Sequence, residues 1–215
     1  MRWQNRQTFG AAGLLDRARL RRAALRYVAH GWSVTPGACL VGNRFVCGRP
    51  GCPIMGCHPA LDDWETTVST DAARVAAWWR RRPHAVLLAT GEQLDALDVP
   101  AALGLRTIGM IEGPVAVTAT GRWMFLVRPG TPLRQELQNR LDVVRHSHGS
   151  WIPAAPSRMI EGPVRWAVSP EQAHWDLPAA AHVQQALVDA LQTLGRHTQT
   201  AVGVPRQVST TRRAA

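Results

Sequence analysis

The stretch Thr90-Gly91-Glu92-Gln93-Leu94-Asp95-Ala96-Leu97-Asp98-Val99-Pro100 decides how this chain is read. An apolar run leads into it, Gly91 turns the chain, and a second apolar run ends in an acid. That pattern describes two short strands, at about 85–89 and 94–99. Two-metal phosphoryl transfer needs at least two carboxylates converging on one spot. A D-x-D pair on a strand supplies them, because residues i and i+2 share a face. Here Asp98 holds the first position and Pro100, which has no ligand atom, holds the second. Asp95 is three residues from Asp98, so on a strand it points to the opposite face.

Before this stretch, Leu20, Ala24 and Val28 repeat at helical spacing within a helix over about 14–29, decorated by Arg17, Arg19, Arg21, Arg22 and Arg26. Gly31 stops it, and residues 32–35 read as a short strand. Thr70 is a candidate cap for a helix with Val75, Trp78 and Trp79 on its apolar stripe, ended by Pro83. After it, Pro100 suits the first turn of a helix reaching about Ile111. Residues 115–118 and 123–127 read as a hairpin turning at Thr120-Gly121. Thr131-Pro132 opens a helix with Leu133, Leu137 and Leu141 on one face. Strands at 151–154 and 164–168 and a helix over 179–195 follow. The order is mixed, with sequential strand pairs, so the fold class is α+β: a small mixed sheet flanked by helices. One domain is expected over 12–197, between a flexible arm at 1–11 and a disordered tail at 198–215.

The four cysteines fall in one Gly/Pro-rich loop over 37–63: Cys39, Cys47, Cys52 and Cys57, the last followed by His58. Clustered Cys and His in a chain expected to be cytoplasmic point to structural zinc rather than disulfides. Five candidates compete for four places, so Cys57 and His58 are not both required.

All 25 basic residues are Arg, and the formal net charge is +10. Guanidinium suits bidentate phosphate contact, and the charge favours a polyanionic partner such as DNA or RNA. No apolar run approaches the ~20 residues that span a bilayer. Met1 is followed by an Arg-studded segment, not by an apolar signal core, so a cytoplasmic location is expected.

These residues together resemble the bifunctional DNA primase/polymerase N-terminal domain, a branch of the archaeo-eukaryotic primase superfamily. The resemblance covers about 20–168. Ala23–Val34 is similar to the family's opening helix and strand. The loop 47–59 resembles its C-G-x-x-x-C-x-x-x-G-K-H-P segment, with Cys57 where Lys is usual. Thr67–Trp79 resembles its T-T-D-…-W-W helix, and Ala89–Val99 its glycine turn and catalytic strand. Trp151–Ser157 is similar to its V-V-A-P-P-S stretch, with Ala155 for the first Pro.

The resemblance implies a site made of a D-x-D pair, a later G-G-x-H and a third acid. These fall on Asp98 and Pro100, on Thr120-Gly121-Arg122-Trp123, and on Asp142. The second acid is thus Pro100 and the His is Trp123. Asp98 and Asp142 are the catalytic candidates, as survivors of a degenerate site. Arg122, Trp123, Arg128, Arg145 and Ser157 are candidate contacts to nucleic acid or nucleotide, with single-stranded DNA or RNA the expected partner. Mg²⁺ or Mn²⁺ is implied only if catalysis remains. Three functions stay open: a binding domain with a degenerate catalytic site, an active primase/polymerase drawing on another acid such as Asp95 or Glu92, and a protein-interaction module using the fold alone. His146 and His148 lie in a Gly/Ser-rich loop and read as solvated surface residues.

Overall fold

A computed structural model describes residues 11–201. The arm expected before residue 11 and most of the tail expected after 198 lie outside these residues. Among the described residues, six α-helices and three sheets form an α+β arrangement. No helix is long and apolar enough to cross a membrane.

A three-stranded antiparallel sheet is made of β1 (Val34–Pro36), β4 (Val86–Thr90) and β9 (Ser150–Pro153), in the order β1-β4-β9. A five-stranded antiparallel sheet contains β5 (Asp95–Pro100), β6 (Val115–Val117), β7 (Arg122–Val127), β8 (Val144–His146) and β10 (Arg165–Val168), in the order β10-β6-β7-β5-β8. The glycine turn after Thr90 carries the chain from one sheet to the other, and the β8–β9 turn does so again.

Strand alternation divides the apolar residues into two cores on opposite faces of the five-stranded sheet. On one face, Ala96, Ala116, Met124 and Leu126 meet the three-stranded sheet, α1 (Ala11–Ala29) and α3 (Ala72–Trp78). On the other, Leu97, Val99, Phe125 and Val127 meet α4 (Ala101–Thr107) and α6 (Ala180–Ala201). Trp79 follows α3 directly, is fully buried, and donates its indole N–H to the His84 carbonyl at 2.7 Å.

Several local expectations shift. The cap of α3 is Asp71, not Thr70: its carboxylate accepts the Arg74 N–H at 2.6 Å, satisfying an amide the helix leaves open. Pro100 occupies the cap position of α4 itself, and the last turn tightens to a 3-10 turn over Ile108–Met110. The leucine stripe at 133–141 makes only one helical turn, α5 (Gln135–Gln138). Leu137 is buried and Leu141 fully exposed, so i, i+4 spacing alone did not extend the helix. The cysteine loop is more ordered than its composition implies: β2 (Cys39–Val41) and β3 (Arg44–Val46) form a hairpin, and α2 (Trp64–Thr67) closes the segment. β8 falls where the sequence reads as loop, and α6 continues past residue 195 to Ala201.

Ser157, a candidate contact to nucleic acid, is fully buried. Its hydroxyl accepts the Val86 N–H at 2.8 Å and donates to the Val86 carbonyl at 3.2 Å. The hydroxyl therefore completes the edge of β4. Ser157→Ala is expected to destabilise the fold by about 1–3 kcal/mol, because the Val86 amide is then buried without an acceptor. Chemical denaturation measures this; a loss under ~0.5 kcal/mol would remove the structural role.

Candidate functional site

Asp98 sits near the end of β5, with Met124 of β7 opposite on one side and Val144 of β8 on the other. Two pairs further along β5–β7, Pro100 faces Arg122. Asp142 lies just before β8 in the chain, so continuing the β5–β8 register brings it level with Pro100. The strand order thus brings Asp98, Pro100 and Asp142 to one corner of the sheet.

Arg122 fills that corner. Its Nε donates to Asp98 Oδ1 at 2.9 Å, and its Nη2 donates to the Asp98 carbonyl at 3.1 Å and the Asp142 carbonyl at 3.0 Å. A guanidinium therefore ties the strand of Asp98 to the turn of Asp142. The Asp142 carboxylate turns to Arg140 instead, which donates from Nε at 2.9 Å and Nη2 at 2.7 Å. Those bonds hold the Asp142 carboxyl below the usual carboxylate range. Each acid is thus neutralised by its own arginine. A divalent ion needs free carboxylate oxygens converging on it; here Asp98 Oδ1 and both Asp142 carboxylate oxygens accept from arginines.

His146, read from sequence as a solvated loop residue, belongs to the same corner. Its Nε2 stands 3.6 Å from Asp98 Oδ2, and its Nδ1 shares a 3.0 Å hydrogen bond with Ser150 Oγ. The pairing Ala96–His146 puts it on the Asp98 face of the sheet. The strand that carries it was hidden because Val144-Arg145-His146 is too short and too polar to show alternation.

Trp123 lies elsewhere. It pairs with Val99, on the opposite face from Asp98, and its ring packs on α4, where a Cβ on Gly104 would overlap it. It belongs to the core around α4 and α6. Arg145 likewise faces away from Asp98. Its Nε and Nη2 donate to Asp95 Oδ2 at 3.1 and 2.9 Å, and the Gly130 N–H reaches the same oxygen at 3.3 Å. Asp95 is 1% exposed, and its Oδ1 has no hydrogen-bond partner among the described residues. It is, as strand geometry requires, on the other face from Asp98. Glu92 lies across the glycine turn, at the far end of β5, in a cleft of about 290 Å³ with Thr90, His148 and Gly149. Arg128 is exposed at the end of β7, where its N–H donates to the Pro178 carbonyl at 2.9 Å.

The second chemical centre is in the cysteine segment. Cys47, Cys52 and His58 bring one ligand atom each within 4.8 Å of one another. They form the one such group of three among the described residues. The Gly56 carbonyl lies 2.8 Å from His58 Nδ1, which places the proton there and leaves the Nε2 lone pair facing Cys52 Sγ at 3.5 Å. Arg49 donates from its backbone N–H at 3.5 Å and its Nε at 3.4 Å to Cys47 Sγ, and from Nη2 at 3.6 Å to Cys52 Sγ. Burial opposes ionisation of Cys47, but bonds from Arg49, His58 and Cys52 outweigh it and bring the pKa down to about 6. Two sulfurs and an oriented imidazole nitrogen could hold a metal ion. Cys39 and Cys57 are outside this group. Cys39 Sγ is 3.6 Å from His84 Nδ1, and burial pushes both thiols up to about 12.

No curated protein matches the chain. The family described as bifunctional DNA primase/polymerase, N-terminal, matches residues 24–181, which include all three sheets, the Asp98 corner and the cysteine segment. This chain therefore belongs to the bifunctional DNA primase/polymerase N-terminal domain family.

Proposed function

We propose that this primase/polymerase-type domain keeps a nucleic-acid- or nucleotide-binding surface and has lost nucleotidyl transfer. The observation that carries the reading is Arg122, bonded at once to the Asp98 carboxylate and to the Asp98 and Asp142 carbonyls. In two-metal transfer, ions bridge the attacking and leaving oxygens and neutralise the charge that develops on both. A guanidinium carries a single charge and has no coordination positions to share between two oxygens. Pro100 cannot restore the missing ligand, and its place at the cap of α4 ties its backbone to that helix. The net charge of +10 supports a retained polyanion partner.

Primer extension and unprimed synthesis with Mg²⁺ and with Mn²⁺ test the loss. The natural chain, Asp98→Ala and Arg122→Ala are all expected to incorporate no nucleotide above background. Robust incorporation by the natural chain that vanishes in Asp98→Ala would refute the reading and restore the active enzyme. Binding of single-stranded DNA at low salt separates the binding domain from a protein-interaction module.

In the cysteine segment we infer zinc held by Cys47, Cys52 and His58. Thiolate and imidazole are zinc's preferred ligands, and the site's burial suits a structural role.

A further inference from the structure

A groove of about 250 Å³ is lined by residues of α1 on one side and of the edge strand β10 on the other. Arg19, Arg22 and Arg26 line one wall, at the i, i+3, i+7 spacing that puts them on one helix face. Trp166, on the edge strand β10, lines the other wall, with Ala155 and Pro156 beside it. We propose that this groove binds single-stranded nucleic acid, its phosphates on the three arginines and one base on the face of Trp166. The proposal rests on the retained-binding reading above and assigns it a surface, remote in sequence from Asp98.

Charge and aromatic placement select the ligand. Among the described residues Arg22 makes no ion pair, and the only contact of Arg19 to an acid is a 3.9 Å approach to Asp16, both side chains half exposed. Arg26 is held at 2.9 Å by Glu171, the one acid in the groove, which fixes its guanidinium at the rim. Arg19 also donates to the Pro156 carbonyl at 3.4 Å, which leans it across the groove floor. The groove therefore carries three cations against one acid.

Trp166 is half-buried and held rigid. Its indole N–H donates to the Tyr27 hydroxyl at 3.2 Å, and the two rings meet edge to face at 6.2 Å. Tyr27 in turn donates to the Ala155 carbonyl and stacks on Trp32 at 5.9 Å. An indole whose polar edge is already bonded inward, on the wall of a cationic groove, offers a fixed platform for stacking. A base inside a duplex has no free face to offer it. An unpaired base does, and base–aromatic stacking tolerates any sequence.

The test is fluorescence anisotropy with a dye-labelled oligothymidylate, titrated across roughly 50 to 200 mM salt, the range over which phosphate contacts weaken. The Arg19→Ala/Arg22→Ala/Arg26→Ala variant is expected to lower the log–log salt slope by about 2, at ~0.7 per lost single-strand contact. A charge-matched variant of exposed arginines elsewhere, Arg44→Ala/Arg74→Ala/Arg106→Ala, should leave the slope nearly unchanged. Trp166→Leu should weaken binding about tenfold or more at constant slope, since stacking is worth ~1–3 kcal/mol per base. The same variant should bind an abasic oligonucleotide as the natural chain does, a result that misfolding would not give. Binding by the natural chain that is equally insensitive to the groove and control triples would overturn this surface while leaving the functional reading in place. No binding by the natural chain at low salt would overturn both.

Discussion

Purified without added metal, the chain is expected to carry about one zinc per molecule, held by Cys47, Cys52 and His58. Cys52→Ser and His58→Ala should each lose it, while Cys39→Ser should keep it. The sequence pattern alone would place Cys39 in the ligand set; the fold instead puts its thiol against His84, on the β2–β3 hairpin. Zinc ligation in small domains contributes folding energy on the order of 10 kcal/mol. Here the two main cores are packed independently of the segment, so the effect should concentrate locally. Chelation should open 37–63 to proteolysis between Cys47 and Cys57 well before the sheets unfold. Chain purified without metal, with four thiols freely titratable in the native state, would sink the assignment.

How far the sequence went can be followed residue by residue. The strands around Gly91, the β6–β7 hairpin and the opposite orientations of Asp95 and Asp98 were all legible, because each depends on alternation or a turn signal local to a few residues. The family resemblance rested on the same local motifs. What escaped was set by tertiary partners. β8 is three residues long and lies at the edge of its sheet, paired with β5, so nothing in Val144-Arg145-His146 announces a strand. Without β8, His146 could not be placed beside Asp98, nor Arg145 beneath it against Asp95.

Arg122 shows the limit more sharply. From spacing it was a phosphate-contact candidate, and Trp123 was the residue standing where the family's His belongs. The register Pro100–Arg122 and Val99–Trp123 instead gives the Asp98 face to Arg122 and turns Trp123 into α4. Restoring an acid at Pro100 and an imidazole at Trp123 would thus not rebuild a site: the imidazole would enter the α4 core. The proposed loss of catalysis rests on Arg122, a cation bonded to Asp98, and the pairing of β5 with β7 is what brings it there.

Asp95→Ala is expected to destabilise the fold by about 3 kcal/mol, more than any other single change of a charged residue here. Asp95 is 1% exposed, and three N–H groups converge on its Oδ2 from Arg145 and Gly130. Removing one partner of a buried pair costs ~3–5 kcal/mol, because the other charge stays behind without compensation. Arg145 is 23% exposed, which puts the expected loss at the lower end. For a chain of this size that corresponds to a fall in Tm of roughly 6–12 °C. The pair is not, however, an economical source of stability. Among the described residues Asp95 Oδ1 has no hydrogen-bond partner, so desolvating this carboxylate is only partly offset. Replacing both members with apolar residues, as Asp95→Leu/Arg145→Leu, should therefore recover the stability to within about 1 kcal/mol of the natural chain. Arg145→Ala separates this role from phosphate contact. If Arg145 serves the fold, the variant loses stability by strandng Asp95 and keeps its salt-dependent DNA binding. A variant that keeps its Tm and loses DNA affinity would return Arg145 to the nucleic-acid surface and leave Asp95 without the partner on which this prediction depends.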